Sequence, residues 1–400
     1  MSVIYLDNNA TTKVDQAVVE AMLPYLSEFY GNPSSMHTFG GQVGRAINEA
    51  RSQVAVILGA EPSEIVFTSC GTEGDNAAIR AALLAQPNKR HIVTTQVEHA
   101  AVLNLCKLLE TQGYTVTYLS VNRQGQLDLD ELAASLTGNT ALVSIMYANN
   151  ETGVVFPIEQ IGQIVKEREI LFHVDAVQAV GKIPLNMKTS TIDLLTLSGH
   201  KLHAPKGIGA LYVRRGVRFR PLLIGGHQER GRRGGTENVA GIIALGKAAE
   251  LEVAHLTEAV QREQKLRDRL EKTLLTTIPD CEVNGHPTQR LPNTTNIGFK
   301  YIEGEAILLS LNQYGICASS GSACTSGSLE PSHVLRSMGL PYTILHGSIR
   351  FSLSRYTTDA EIDQVIAVMP GIVERLRALS PFSNDGAGWL QEQEQALAHR

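Results

Sequence analysis

The chain has 400 residues, of which 43% are hydrophobic and 19% charged, with a formal net charge of −5. That balance describes a folded protein with room for two or three units of ordinary domain size, and it excludes a fibrous or disordered chain. It supplies no global electrostatic reason to bind nucleic acid or a membrane surface, and no charge-free apolar run approaches the ~18 residues needed to cross a bilayer.

The opening residues, Met1 to Ala10, carry no basic region, no long apolar core and no cleavage-like site, so the expected compartment is the cytoplasm. Five cysteines (Cys70, Cys106, Cys281, Cys317 and Cys324) are odd in number and contain no Cys-x-x-Cys pair, which argues against a disulfide framework or a closed zinc site. Val18, Val19, Met22, Leu23 and Leu26 recur at helical spacing behind Asp15, a candidate N-cap, and predict a helix from Asp15 to Tyr30. Loop residues Gly31 to Ser35 follow, then a second helix over 37–58. Glu64 to Thr68 reads as a buried strand that turns through Ser69–Asn76 into a helix over 77–85. Such a turn presents unpaired backbone N–H groups to an anion, which makes Gly71 and Thr72 phosphate candidates; a plain capped turn has the same sequence.

Strands over 92–95, 114–121, 141–147 and 170–174 then alternate with helices over 100–112, 129–136 and 158–168. This alternation predicts an α/β fold: a large domain with a mostly parallel sheet between helices. His99, Asn150, Asp175 and Gln178 follow strand ends. Singly each is a turn or cap residue; several at one edge of a sheet are the makings of a ligand site.

The apolar run Asp193–Leu197 ends in Ser198-Gly199-His200-Lys201. A desolvated lysine there can act as a neutral amine that condenses with an aldehyde, and Ser198 and His200 beside it can hold a phosphate; a solvated surface lysine is the plainer alternative. A strand over 209–214 leads into an arginine-rich, glycine-rich stretch ending at Gly235, where binding of nucleic acid is set against the acidic whole-chain balance. The helix from Asn238 past Leu275 loses its apolar stripe near Glu258, the pattern of a helix that crosses between domains. After Pro279, strands and helices without strict alternation predict a smaller α+β domain, and residues 383–400 read as a mobile tail. Small hydroxylated residues from Ala318 to Leu329 surround Cys324. Isolated cysteines are usually buried, so one in a long polar loop reads as a reactive thiol, whereas the other four read as structural.

The motifs Tyr5–Thr12, Thr68–Asn76, Val97–His99, Asn149–Gly153, Val174–Gln178, Ser198–Lys201, Arg233–Asn238, Ser319–Pro331 and Ser348–Phe351 occur in order over nearly the whole chain. Together they resemble the cysteine desulfurases of the NifS/IscS group, most closely the NifS form, among the fold-type I pyridoxal-phosphate transferases. The resemblance implies a large cofactor-binding domain over 13–257, a small domain made of 1–12 with 258–382 that carries the cysteine loop, and the tail. It implies that Lys201 bonds to the aldehyde of pyridoxal 5'-phosphate, that Asp175 pairs with the ring nitrogen, that Gln178 bonds the phenolic oxygen and that His99 stacks on the ring. Gly71, Thr72, Ser198 and His200 would hold the phosphate, with Thr236 reaching it from the second subunit of a homodimer. Asn150 and Arg350 would orient L-cysteine, Arg350 through a bidentate bond to its carboxylate.

Cys324 would attack the substrate sulfur, leaving alanine and an enzyme persulfide, with His99 the candidate for the proton acceptor or cationic neighbour that makes the thiolate. The persulfide would pass to an iron–sulfur scaffold protein, with iron touching Cys324 only during that transfer. Nitrogenase clusters are the expected destination. The open alternatives are a housekeeping IscS role, a selenocysteine lyase and an aminotransferase of the same fold.

Overall fold

The apolar strands form a seven-stranded sheet in a computed structural model that describes residues 3–320 and 331–380. In chain order, β1 (Ile4–Tyr5) lies outside this sheet, which consists of β2 (Ile65–Thr68), β3 (His91–Thr95), β4 (Thr115–Leu119), β5 (Thr140–Ser144), β6 (Leu171–Asp175), β7 (Leu194–Ser198) and β8 (Gly209–Val213). Their spatial order is β2-β8-β7-β6-β5-β3-β4. All pairs are parallel except those made by β8, which runs antiparallel to β2 and β7. Successive residues serve opposite faces, as the pleat requires: Leu195 and Ala210 enter one apolar core, while Leu194 and Leu211 enter the other. Burial on both faces is why these strands read as continuous apolar runs.

The helix Gly71–Ala85 begins two turns earlier than the sequence reading placed it. Glycine and hydroxyl residues suggested loop, but the Cys70 thiol caps the first turn by accepting from Glu73 N at 3.5 Å, and the Glu73 carboxylate accepts from Ser69 N at 2.7 Å. The glycines let the helix lie against the sheet: a Cβ at Gly74 would sit 2.6 Å from Thr196 Cγ2. Asp15 caps its helix as expected, but that helix spans Gln16–Met22, and Pro24 opens a separate short one, Pro24–Ser27.

A smaller antiparallel sheet of β9 (Cys281–Val283), β10 (Thr294–Phe299) and β12 (Ser348–Ser352) has its own core. β11 (Ile316–Cys317) pairs in parallel with β1, so the first residues join this unit; Ile4 and Leu6 pack with Ile297, Phe351 and Ile362. The helix Val239–Thr277 serves both units, placing Ala244 and Leu245 in the large core and Leu266, Leu270 and Leu274 in the small one. Helices Gly304–Gln313 and Asp359–Leu379 complete the small layer. Two short helices, His333–Ser337 and Tyr342–His346, escaped the sequence reading; Val334, Leu335 and Ile344 pack with the large core. No helix among the described residues is long and apolar enough to cross a membrane.

Several arginines of the basic stretch are spent on backbone. Arg214 donates to Ile192 O and Ser190 O, and Arg230 donates to Ile65 O. Glu229, at φ +47°, binds Arg51 through two bonds of 2.6 and 2.7 Å and accepts from Phe67 N at 3.0 Å, covering the outer edge of β2. Both side chains are buried. Glu229→Ala strands the Arg51 charge without its partner, so chemical denaturation of that variant should show a loss of about 3–5 kcal/mol. A loss within experimental error would mean that the pair is dispensable.

Candidate active site

The C-terminal ends of β6 and β7, the N-terminus of the helix Gly71–Ala85 and the first residues of the chain enclose a cavity of about 370 Å³. Ten of the twelve residues singled out from sequence line it: Gly71, Thr72, His99, Asn150, Asp175, Gln178, Ser198, His200, Lys201 and Arg350. Thr236 does not line it and is exposed, and Cys324 lies outside the described residues, as does the tail. Among the described residues, no group of three or more His, Cys, Asp or Glu could hold a metal ion.

Lys201 ends a single 3-10 turn, Gly199–Lys201, that follows β7. Its Nζ donates to Asn9 O and, at 2.8 Å, to Ala10 O. Two main-chain carbonyls almost two hundred positions away thus aim the amine into the cavity. Asp175, at the end of β6, is buried and accepts from Val177 N at 2.9 Å. Burial raises its pKa; the Val177 bond, His99 and Lys201 oppose the rise. Beneath it, burial and the Asp175 charge push Asp75 well above the usual carboxylate range. Two adjoining buried acids resist double ionisation, and burial raises the pKa of both.

His99 caps the helix Ala100–Thr111, its Nδ1 accepting from Ala101 N at 3.1 Å. Burial depresses its pKa, so the ring is neutral and carries its proton on Nε2. In that tautomer it offers a hydrogen-bond donor to the cavity. His200 is also held neutral, pushed down to about 4 by burial and then by Lys201, with Nδ1 3.2 Å from Thr11 Oγ1. Ser198 Oγ is buried with no hydrogen-bond partner among the described residues, beside the open helix N-terminus at Gly71. A Cβ at Gly71 would lie 2.9 Å from Val177 Cγ2 and 3.6 Å from Ser198 Cβ, so only glycine permits this approach. An orphaned hydroxyl, helix N–H groups and a neutral histidine are a donor set that suits a phosphate, and an acid facing a lysine suits an aldehyde-bearing pyridine ring. The residues present fit pyridoxal phosphate.

Arg350, on β12, is already engaged: Nη2 meets Asp7 Oδ1 at 2.5 Å and Nη1 donates to Asn150 O at 3.1 Å, leaving Nε buried without a partner among the described residues. A bidentate grip on a carboxylate therefore requires exchange with Asp7. Sequence reasoning missed Asn9, Ala10 and Asp75, and treated Cys70 as structural although it lines the cavity. The matched motif Tyr5–Thr12 contained the first two, but nothing local says that their carbonyls face a lysine.

Under the floor, His173 bridges Ser144 Oγ at 2.9 Å and Thr196 Oγ1 at 3.0 Å, 3.6 Å from Asp75 Oδ1. Burial lowers its pKa to about 3 from an ordinary 6.5. Between those values the unfolded chain binds a proton that the folded chain refuses, so stability falls as pH drops below 6.5. By pH 5 this one group should cost about 2 kcal/mol. Urea denaturation at pH 7 and 5 should show His173→Asn to be less acid-sensitive than the parent by that amount; equal acid sensitivity would contradict the assignment.

Comparison with known proteins agrees with this geometry. The model of the class-V aminotransferases matches residues 4–365. A cysteine desulfurase of Trichormus azollae is 83% identical over 400 residues, covering 100% of both chains. The cysteine desulfurase NifS of Azotobacter vinelandii is 58% identical over 399 residues, covering 100% of this chain and 99% of that protein. Among solved structures, a NifS-like protein superposes with a TM-score of 0.88 at 41% identity, over 94% of this chain and 100% of the other. The chain belongs to the class-V aminotransferase family and, within it, to the cysteine desulfurases of the NifS/IscS group.

Proposed function

We propose that this cavity binds pyridoxal 5'-phosphate and L-cysteine and converts the cysteine to alanine, with its sulfur left on Cys324 as a persulfide. The observation that carries the reading is Lys201 held by Asn9 O and Ala10 O in the same cavity as buried Asp175 and the orphaned Ser198 hydroxyl. When bound, pyridoxal phosphate supplies an electron sink for the substrate Cα.

The residues divide the remaining work. Asp175 would pair with the ring nitrogen, Gln178 would donate to the phenolic oxygen, and His99 would stack on the ring. Gly71 and Thr72 N–H groups, Ser198 Oγ and His200 would hold the phosphate. Asn150 and Arg350 orient the substrate carboxylate. The Lys201 amine would take the substrate Cα proton. The Cys324 thiolate bonds to the substrate sulfur as the S–Cβ bond breaks, so one cysteine and one enzyme thiol yield one alanine and one persulfide. His99 Nε2–H steadies the thiolate.

Further features support the wider reading. Thr236 is exposed, and Tyr30, Met36 and Ile224 present large apolar side chains to solvent, which suits a homodimer in which Thr236 reaches the partner's phosphate. The separate cores support a large domain over 13–257 and a small one of 1–12 with 258–382, save that Val334, Leu335 and Ile344 pack with the large core. The four described cysteines are free thiols, in keeping with a cytoplasmic protein. The 58% identity to NifS of Azotobacter vinelandii favours delivery to a scaffold for nitrogenase clusters over general cluster assembly, with iron meeting Cys324 only in transit. The test is incubation of the holoenzyme with L-cysteine and a reductant: equal sulfide and alanine support the reading. Bound cofactor with neither sulfide nor alanine formed would return it to an aminotransferase.

A further inference from the structure

Behind Gln178, on the side away from the cavity, stands a lysine that the reaction does not use. Lys182 lies four positions on, after a sharp turn at Gly181 (φ +76°). Its Nζ donates to Gln178 O at 3.2 Å and to Gln178 Oε1 at 3.3 Å. The residue keeps part of its surface at the protein boundary, but its ammonium is desolvated enough for burial to bring its pKa down to about 8, against the upward pull of Glu263 and Glu252. Both carboxyls are themselves buried, and Glu252 is committed to Arg355. The hydrogen bonds of the Lys182 ammonium among the described residues thus go to Gln178 and to no carboxylate.

An amide side chain has two distinct ends. An ammonium only donates, so it can face the carbonyl oxygen of Gln178 and never its NH2 group. With Oε1 turned to Lys182, Nε2 must turn the other way, where it donates to Asn9 O at 3.0 Å. Asn9 O is also an acceptor for Lys201. The second Nε2 proton is left for whatever occupies the cavity. Lys182, Gln178, Asn9 and Lys201 therefore form one chain of polar contacts leading to the reacting amine, and the positive charge at its outer end polarises the amide toward stronger donation.

We propose that Lys182 is a positioning residue that locks the Gln178 amide with its NH2 toward the cavity and thereby sets the donor strength offered to the cofactor's phenolic oxygen. This rests on the reading of the cavity as the pyridoxal-phosphate site. Lys182 touches neither cofactor nor substrate; its effect passes through one amide.

The experiment compares four purified holoproteins: parent, Lys182→Met, Gln178→Ala and the double variant, with Lys182→Arg as the charge-keeping control. Each is titrated for the pH midpoint of the cofactor's visible absorbance band and for the affinity of its apoprotein for pyridoxal phosphate, with thermal melting recorded alongside. Lys182→Met should raise the midpoint by roughly half to one pH unit, since a donor to the phenolic oxygen is weakened. It should also lower cofactor affinity about five-fold, the scale of one hydrogen bond. Lys182→Arg should restore most of both effects. In the Gln178→Ala background, Lys182→Met should add nothing, because the intermediary is gone. An unchanged midpoint in Lys182→Met, or an equal shift with and without Gln178, would overturn the inference while leaving the site assignment intact. A parent protein with no visible band after incubation with pyridoxal phosphate would overturn the site assignment, and the inference with it.

Discussion

Lys201→Ala should lower alanine formation from L-cysteine by roughly 10³–10⁴-fold, the scale of a lost proton-transfer group, while leaving a folded protein. Two main-chain carbonyls aim the amine at the cavity, and its removal leaves Asn9 O and Ala10 O without that donor. The stability cost of those lost partners is about 1–3 kcal/mol, which a chain with two separate cores should survive. Uptake of pyridoxal phosphate should persist, weakened, because Ser198, His200 and Asp175 remain. Borohydride reduction should no longer fix the cofactor to the protein. Turnover within ten-fold of the parent would remove Lys201 from the reaction.

Cys324→Ala should abolish sulfide release and alanine formation together, because the substrate C–S bond then has no thiolate to receive its sulfur. The segment that contains Cys324 joins the described chain at points fastened around the cavity. Before it, Ser319 exchanges backbone bonds of 2.6 and 3.2 Å with Arg350. After it, Ser332 Oγ donates to Glu151 Oε2 at 2.5 Å, and His333 Nε2 donates to Glu98 O at 3.0 Å, next to His99. The other thiols are poor substitutes: Cys106 is buried with its pKa pushed up to about 12, and burial also raises Cys281. Cys70 lines the cavity but its Sγ caps a helix, so Cys70→Ser serves as the control and should keep most of the activity. Activity that survives Cys324→Ala and disappears in Cys70→Ser would move the nucleophile to Cys70.

Much of this was legible in the chain itself. Strands such as Leu171–Asp175 and Leu194–Ser198 are buried on both faces, and burial selects apolar residues whatever the neighbours are, so composition and period reveal them. Strand ends, where the backbone leaves the sheet, are where polar residues become affordable, which is why His99, Asp175 and Lys201 stood out. What stayed hidden depends on contacts between distant segments. Nothing near Asn9 or Ala10 shows that their carbonyls hold Lys201, nothing in Gly209–Val213 shows that this strand runs antiparallel to its neighbours, and nothing in the arginine-rich stretch shows that Glu229 closes the edge of β2 over Arg51. Sequence by itself determined the alternation of elements and the residue types brought to the strand ends, since these follow from local burial and periodicity. Tertiary structure alone decided which amide end of Gln178 faces the cavity, that Asp75 and Asp175 are buried near one another and which nitrogen of His99 carries the proton, because each depends on partners that only folding brings together.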